Sequence, residues 1–106
     1  MITLPRDAKR VFAKFVKENQ TMINRYVATK IKKAIEHDKD KITLWYFEGD
    51  EHGEIIAERH YNLVLEKLMN AFIEREEYED AEKVKSTIID YNVNKVIKES
   101  IEFNKE

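Results

Sequence analysis

Three histidines and the carboxylates near them are the residues of this sequence that could bind a metal ion. A zinc site requires three or four ligands at fixed distances, and no H-x-x-x-H or H-x-x-E spacing places two such ligands on one helical face. The stretch EGDEHGE, residues 48–54, also lacks the alternating oxygen ligands of a calcium loop. We therefore expect neither a metal ion nor another cofactor. The residues considered are His37, His52, His60, Asp38, Asp40, Asp50, Glu51 and Glu54.

The residue patterns of covalent and acid–base catalysis are missing as well. The chain has no cysteine and two glycines, and it contains neither a G-x-S-x-G motif nor a glycine-rich phosphate loop. Its densest carboxylates, in EREEYEDAEK at residues 74–83, form a charge run of the kind that is solvated at a helix corner. General acid–base catalysis needs a buried carboxyl group with a perturbed pKa. The sequence therefore predicts a protein that is not an enzyme.

Basic residues are concentrated in the first third of the chain. Residues 1–34 carry nine Lys or Arg against two acidic residues, a charge of +7, while the whole chain carries −2 and the remainder therefore −9. This asymmetry suits either nucleic-acid binding or two halves that attract each other, within the fold or across a dimer. The pI near 6.0 is unlike the pI above about 9 of dedicated nucleic-acid binders. The nucleic-acid hypothesis uses Lys9, Arg10, Lys14, Lys17, Arg25, Lys30, Lys32 and Lys33.

The basic residues belong to a predicted helix over residues 5–36. Pro5 suits the first turn of a helix, Thr3 is the expected cap, and apolar residues recur at spacings of three, four and seven. The weak point is ENQT, residues 18–21, which contains no apolar side chain. An unbroken helix would be about 48 Å long, too long for a compact monomer to cover easily. We expect either a break near residue 20 or coverage by a second chain.

The run ITLWYF, residues 42–47, has the composition of a strand and holds the only tryptophan. The glycines that follow permit a turn, so the sequence predicts a β-hairpin over residues 41–47 and 54–58. Side chains alternate between the two faces of a strand, so Trp45 and Phe47 would lie on one face and Tyr46 on the other. A single layer of helices can cover only one of these two faces. We predict Trp45, Tyr46 and Phe47 as partner-binding residues.

Two further helices, over residues 59–76 and 79–102, are predicted from apolar residues at helical spacing. The fold class is therefore α+β, mostly α: a long N-terminal helix, a β-hairpin and a C-terminal antiparallel helix pair in a single domain, residues 1–106. No apolar run approaches the roughly 20 residues that span a bilayer, and no signal peptide begins the chain. We expect a cytoplasmic protein with no membrane contact.

Residues 65–91, LEKLMNAFIEREEYEDAEKVKSTIIDY, resemble the UVR motif, a short helical hairpin of bacterial excision-repair subunits and of McsA-type and ClpC-type stress proteins. The matching positions are Leu65, Glu66, Met69, Tyr78, Glu79, Ala81, Val84 and Ile88. The positions that depart from the motif are Glu76, Glu82, Lys85 and Ser86. The resemblance implies protein–protein docking, often between two such hairpins, with Tyr78 and Glu79 in the contact.

Together these observations favour a small, non-enzymatic protein-binding module. We expect a homodimer, with coiled-coil-like helical contacts, that regulates or inhibits a larger complex such as a host complex targeted by a phage-type protein. Burial of an apolar stripe and of the hairpin aromatics would supply the affinity, and charges would set orientation and association rate. The alternative function is a nucleic-acid-binding accessory protein that uses the basic N-terminal helix.

Overall fold

The computed structural model describes residues 2–49 and 53–104, which form four helices and a small three-stranded sheet. The predicted class, α+β and mostly α, is confirmed. The chain divides into two compact units, Met1–Tyr61 and Asn62–Glu106. The single domain expected from the chain length stays a prediction.

The N-terminal helix of the first unit is broken at Asn19. Helix α1 spans Lys9–Glu18 and helix α2 spans Gln20–Glu36. Asn19 has φ −119° and ψ 36°, outside the helical region, and its side-chain amide donates a hydrogen bond to the Phe15 carbonyl oxygen at 2.9 Å. A side chain that bonds the preceding turn competes with the helical backbone. The break falls within the polar ENQT stretch and is the first of the two outcomes expected from the sequence.

The start of the chain differs from the prediction. Thr3 does not cap a helix, because it lies in strand β1 (Ile2–Leu4), which the sequence did not predict. β1 runs parallel to strand β2 (Lys41–Phe47) and pairs Thr3 with Tyr46. Pro5 follows β1, precedes a 3-10 turn at Arg6–Ala8, and so starts this turn rather than α1 itself.

The predicted hairpin is confirmed, with strand β3 at Glu54–Ala57 and the sheet order β1-β2-β3. Thr43 lies opposite Ile55 while Trp45 lies opposite Glu54, so Leu44 is an additional residue of β2 and forms a β-bulge. The Tyr26 hydroxyl of α2 donates a hydrogen bond to the Leu44 carbonyl oxygen at 2.6 Å. The bulge is therefore held to α2.

The bulge interrupts the alternation expected for β2. An ideal Cβ at Gly53 would overlap the Trp45 carbonyl oxygen and lie 2.8 Å from Thr43 Cγ2 and 2.9 Å from Tyr46 Cδ1. Thr43 and Tyr46 therefore lie on the same face of the sheet, whereas strict alternation places them on opposite faces. The close approach also explains why this position is a glycine.

The C-terminus of α2 is closed by backbone hydrogen bonds and by a tyrosine. Asp38 has a left-handed backbone, φ 52°, and the next N–H, that of Lys39, donates to the Ala34 carbonyl oxygen at 2.8 Å, as in a Schellman motif. The Tyr61 hydroxyl donates to the Lys39 carbonyl oxygen at 2.9 Å. The buried residues of this unit are Asn24, Val27, Ile31, Ala34, Leu44 and Tyr61.

The second unit is a helical hairpin. Helix α3 spans Tyr61–Glu74, beginning at the last residue of the first unit, and helix α4 spans Tyr78–Asn104. Glu76 closes α3 with a second left-handed residue, φ 60°, and the Glu77 N–H donates to the Phe72 carbonyl oxygen at 2.8 Å. The short connection makes α3 and α4 antiparallel neighbours that pack together.

Candidate protein-binding surface

The first half of α4 has its apolar residues on the side that packs against α3. Ala81, Val84 and Thr87 are buried on this side and Ile88 is half-buried. We call these four residues the inner face of α4. The α3 residues buried in the same unit are Leu65, Leu68 and Phe72. The inner face thus completes the core of the helical hairpin.

The second half of α4 carries a different apolar face, and its residues are exposed. This outer face consists of Ile89, Val93, Val96, Ile97 and Ile101, each of which is between 50% and 61% exposed. At 100° per residue the mean directions of the inner and outer faces are roughly 170° apart. The apolar residues of α4 therefore change from one side of the helix to the other between Ile88 and Ile89.

The change of side lies within one turn of the position on α4 that faces the first turn of α3. The Asn62 side-chain amide, in the first turn of α3, donates a hydrogen bond to Asn92 Oδ1 at 2.9 Å. α4 continues from Asn92 to Asn104, about 18 Å further at 1.5 Å per residue. On the inner side this extension carries exposed charged residues, Lys95, Lys98 and Glu99. The extension is thus charged and solvated on its inner side, where α3 no longer lies beside it, and apolar on its outer side.

The predicted partner-binding residues of β2, Trp45, Tyr46 and Phe47, are all half-buried. The Phe12 ring of α1 lies edge-on to Trp45, with centroids 4.9 Å apart, and edge-on to Phe47, with centroids 5.1 Å apart. Phe15 stacks beside Phe12 at 6.5 Å and is 44% exposed. The structure brings Trp45 and Phe47 into an aromatic cluster of the first unit. Their role as partner-binding residues stays a prediction.

Tyr78 and Glu79, which the motif resemblance implies as contact residues, begin α4 at the corner of the helical hairpin. Tyr78 is 62% exposed and Glu79 is exposed as well. Glu79 and Asp80 lie in the first turn of α4, where a carboxylate stabilises the positive end of the helix dipole. Glu79 thus has a local structural role, and the role of Tyr78 as a contact residue stays a prediction.

Seven of the eight basic residues in the nucleic-acid hypothesis are exposed, and Lys30 is half-buried. Arg10, Lys14 and Lys17 follow one another at spacings of four and three and therefore share one face of α1. The Lys30 ammonium lies 5.9 Å from the centroid of the Tyr26 ring. The remaining members are Lys9, Arg25, Lys32 and Lys33.

Two tyrosines carry perturbed pKa values, and both have structural roles. Burial raises the pKa of Tyr26. Burial also raises the pKa of Tyr61, and the negative charges of Glu58 and Asp40 raise it further. Each hydroxyl donates to a backbone carbonyl, at Leu44 and at Lys39, which only the neutral form can do. These groups hold the fold of the first unit together.

Neither a metal-binding group of side chains nor a membrane-spanning helix occurs in the part of the chain that the structure describes. No three His, Asp or Glu side chains gather there in a way that could hold a metal ion. Three of the possible metal ligands named from the sequence, Asp50, Glu51 and His52, lie outside the described residues. None of the described helices is both long enough and apolar enough to cross a bilayer.

The outer face was not recognised from the sequence as a separate surface. Ile89, Val96, Ile97 and Ile101 support the prediction of the last helix, but spacing alone does not show that they leave the side occupied by Val84. The available signal is the adjacent pair Ile88–Ile89, after which the apolar residues follow a new stripe. A helical projection of residues 78–104 in two halves would have revealed it.

No protein-family model, no curated protein and no solved structure significantly matches this chain.

Proposed function

We propose that this protein is a non-enzymatic protein-binding module and that the outer face of α4 is its main binding surface. The observation that carries the proposal is a continuous stripe of five β-branched side chains, each at least half exposed. Burying the exposed half of each side chain would contribute about 1 kcal/mol, or about 5 kcal/mol for the stripe. Contiguous exposed apolar patches on monomers commonly mark interaction sites.

Helix stability gives no reason for these residues. Valine and isoleucine are poorer helix formers than Lys, Glu or Gln because their χ1 rotation is restricted against the preceding turn. Lys95, Lys98 and Glu99 show that the same segment uses good helix formers on its other side. The β-branched stripe therefore lowers helix propensity without adding to the hairpin core, and contact with another protein surface supplies a reason for it.

The test compares two variants that introduce the same residue on opposite sides of α4. Ile97→Glu places a charge in the outer face, and Lys95→Glu places one on the solvated side. Tagged forms of both variants and of the original chain would be cross-linked in cell extract, and the captured proteins, including further copies of the chain, would be compared. We expect proteins captured by the original chain and by Lys95→Glu to be lost with Ile97→Glu. Equal capture by all three would contradict the proposal.

The hairpin corner is a second contact within the same function. The UVR-like pattern implies docking through the segment that holds Tyr78 and Glu79, and Tyr78 is the most exposed of the large apolar or aromatic side chains that the structure describes. A regulator or inhibitor of a larger complex could use the corner and the outer face together. Tyr78→Ala would then weaken capture without changing the helix content measured by circular dichroism.

The second candidate function is nucleic-acid binding by α1. It is favoured by the exposed row Arg10, Lys14 and Lys17, beside the partly exposed Phe15 ring. Binding of duplex and single-stranded DNA would be measured at two salt concentrations. A true phosphate surface loses affinity with salt at a log–log slope of about −0.9 per phosphate contact on duplex DNA, and replacing all three residues by Gln should reduce that slope by up to about 3. No binding at low salt would exclude this candidate.

A further inference from the structure

We propose that the outer face of α4 pairs with the outer face of α4 in a second copy of the chain, in an antiparallel, two-fold symmetric dimer. This inference rests on the proposed function, because it names the protein that covers the surface. A two-fold interface uses the same surface patch on both copies, so the patch must tolerate contact with itself. The charge of the outer face decides whether it tolerates such contact, and its area decides how strong the association is.

The outer face carries one charge, that of Asp90 near its N-terminal end, and no charge between Val93 and Ile101. The charged residues between Val93 and Ile101 are Lys95, Lys98 and Glu99, and each points at least roughly 120° away from the mean direction of the outer face. The polar residues nearer to the face in this stretch are uncharged, namely Asn94 and Ser100. Partners of different sequence are commonly selected by complementary charge around the contact. The neutral, apolar stretch from Val93 to Ile101 is instead complementary to itself, and the position of Asp90 bears on the orientation of the two helices.

The area of the outer face indicates a weak dimer. An exposed half of a valine or isoleucine side chain corresponds to roughly 30–60 Å², from about 25 cal/mol per Å² and 1.5–3 kcal/mol for full burial. Five such side chains on each of two copies would bury roughly 300–600 Å² of apolar surface by the same relation. Stable interfaces bury about 1,200 Å² or more in total. We therefore expect an association that depends on concentration.

Asp90 favours the antiparallel arrangement. It is the charged residue that lies beside the outer face, one residue after Ile89. A parallel pair would bring the two Asp90 carboxylates together, whereas an antiparallel pair places each near the far end of the other helix. Antiparallel pairing also aligns opposite ends of the helix dipoles. With the two-fold axis near Ile97, the two Ile89 residues would be about 24 Å apart at 1.5 Å per residue.

The mass of the full chain as a function of concentration tests the dimer. Sedimentation velocity or light scattering would cover about 10 μM to about 1 mM, the range suited to an interface of this size. We expect the average mass to rise from 12.7 kDa towards twice that value. Lys95→Glu should behave in the same way, and Ile97→Glu should remain at the monomer mass while retaining its helical circular dichroism. A monomer mass for the original chain at every concentration would overturn the dimer.

Cysteine cross-linking tests the orientation, because the chain has no cysteine of its own. A disulfide requires Cα atoms about 4.4–6.8 Å apart. Under mild oxidation Ile97→Cys should form a covalent dimer, and Ile89→Cys should not. Efficient cross-linking of both variants would indicate a parallel pair and would overturn the antiparallel arrangement.

The two proposals can fail separately. A chain that stays monomeric, yet captures another protein in a way that Ile97→Glu abolishes and Lys95→Glu does not, would overturn the second copy as occupant and leave the binding module in place. A monomeric chain whose captured proteins do not depend on Ile97 would overturn both.

Discussion

Replacing Tyr26 by phenylalanine should destabilise the first unit by an amount that its hydrogen bond predicts. The Tyr26 hydroxyl donates to the Leu44 carbonyl oxygen at 2.6 Å, and Leu44 is 4% exposed at a bulge that removes it from pairing with β3. A hydrogen bond contributes about 0.5–1.5 kcal/mol, and a buried group left without its partner costs about 1–3 kcal/mol. We expect Tyr26→Phe to lower the free energy of unfolding by about 1.5 kcal/mol, a value that lies within both ranges.

The same bond predicts a dependence on alkaline pH. Burial raises the pKa of Tyr26 above 10.0, its ordinary value, so the folded state holds the phenolic proton more tightly than the unfolded state. The resulting stability is fully present below pH 10 and is lost as the pH rises through the folded-state pKa. The original chain should therefore lose stability above pH 10 more steeply than Tyr26→Phe. Part of the slope should remain in the variant, because the pKa of Tyr61 is raised as well.

The assay is urea unfolding followed by the fluorescence of Trp45, the single tryptophan, which lies next to the bulge. With a denaturant dependence of about 1–2 kcal/mol per molar urea, a loss of about 1.5 kcal/mol moves the midpoint down by about 1 M. Tyr78→Phe is the matched control, since it removes the hydroxyl of a tyrosine that is 62% exposed. A Tyr26→Phe midpoint equal to that of the control, or an unchanged slope above pH 10, would refute the reasoning.

Three further substitutions test the fold. Gly53→Ala should cost about 2 kcal/mol or more, because its Cβ would overlap the Trp45 carbonyl oxygen; Trp45 fluorescence in urea measures this, and an unchanged midpoint would contradict the close approach. Glu76→Gly should stabilise the second unit by about 1 kcal/mol by relieving a left-handed non-glycine residue, seen by circular dichroism as a higher melting temperature. Asn24→Leu should raise the free energy of unfolding by about 1 kcal/mol, because removing the buried, unpaired Nδ2 outweighs losing the hydrogen bond that Gln20 Nε2 donates to Asn24 Oδ1 at 2.8 Å; a lower urea midpoint would show that this hydrogen bond outweighs the unpaired group.

Local patterns in the sequence predicted most of the elements. The polar stretch at residues 18–21 marks the break at Asn19, and β-branched and aromatic residues followed by glycine mark the hairpin. Strand β1 could not be predicted in the same way, because three residues acquire strand structure only by pairing with β2, some forty positions further along the chain. The bulge at Leu44 has a similar origin, since its stability depends on Tyr26 of another element.

The outer face of α4 could be predicted in part from the sequence, because helical spacing fixes the directions of α4 side chains relative to one another. Spacing alone does not show how far along α4 the helix α3 extends. The hydrogen bond between Asn62, in the first turn of α3, and Asn92 shows it. Beyond Asn92 the inner side of α4 becomes charged within one turn, at Lys95. A charged side chain is expected there, because α3 no longer covers this side and water does. The outer side becomes apolar over the same residues. A helix that only extended into solvent would be polar on all sides. The opposite changes on the two sides of one helix are what the proposal of a second surface covering the outer face would lead one to expect.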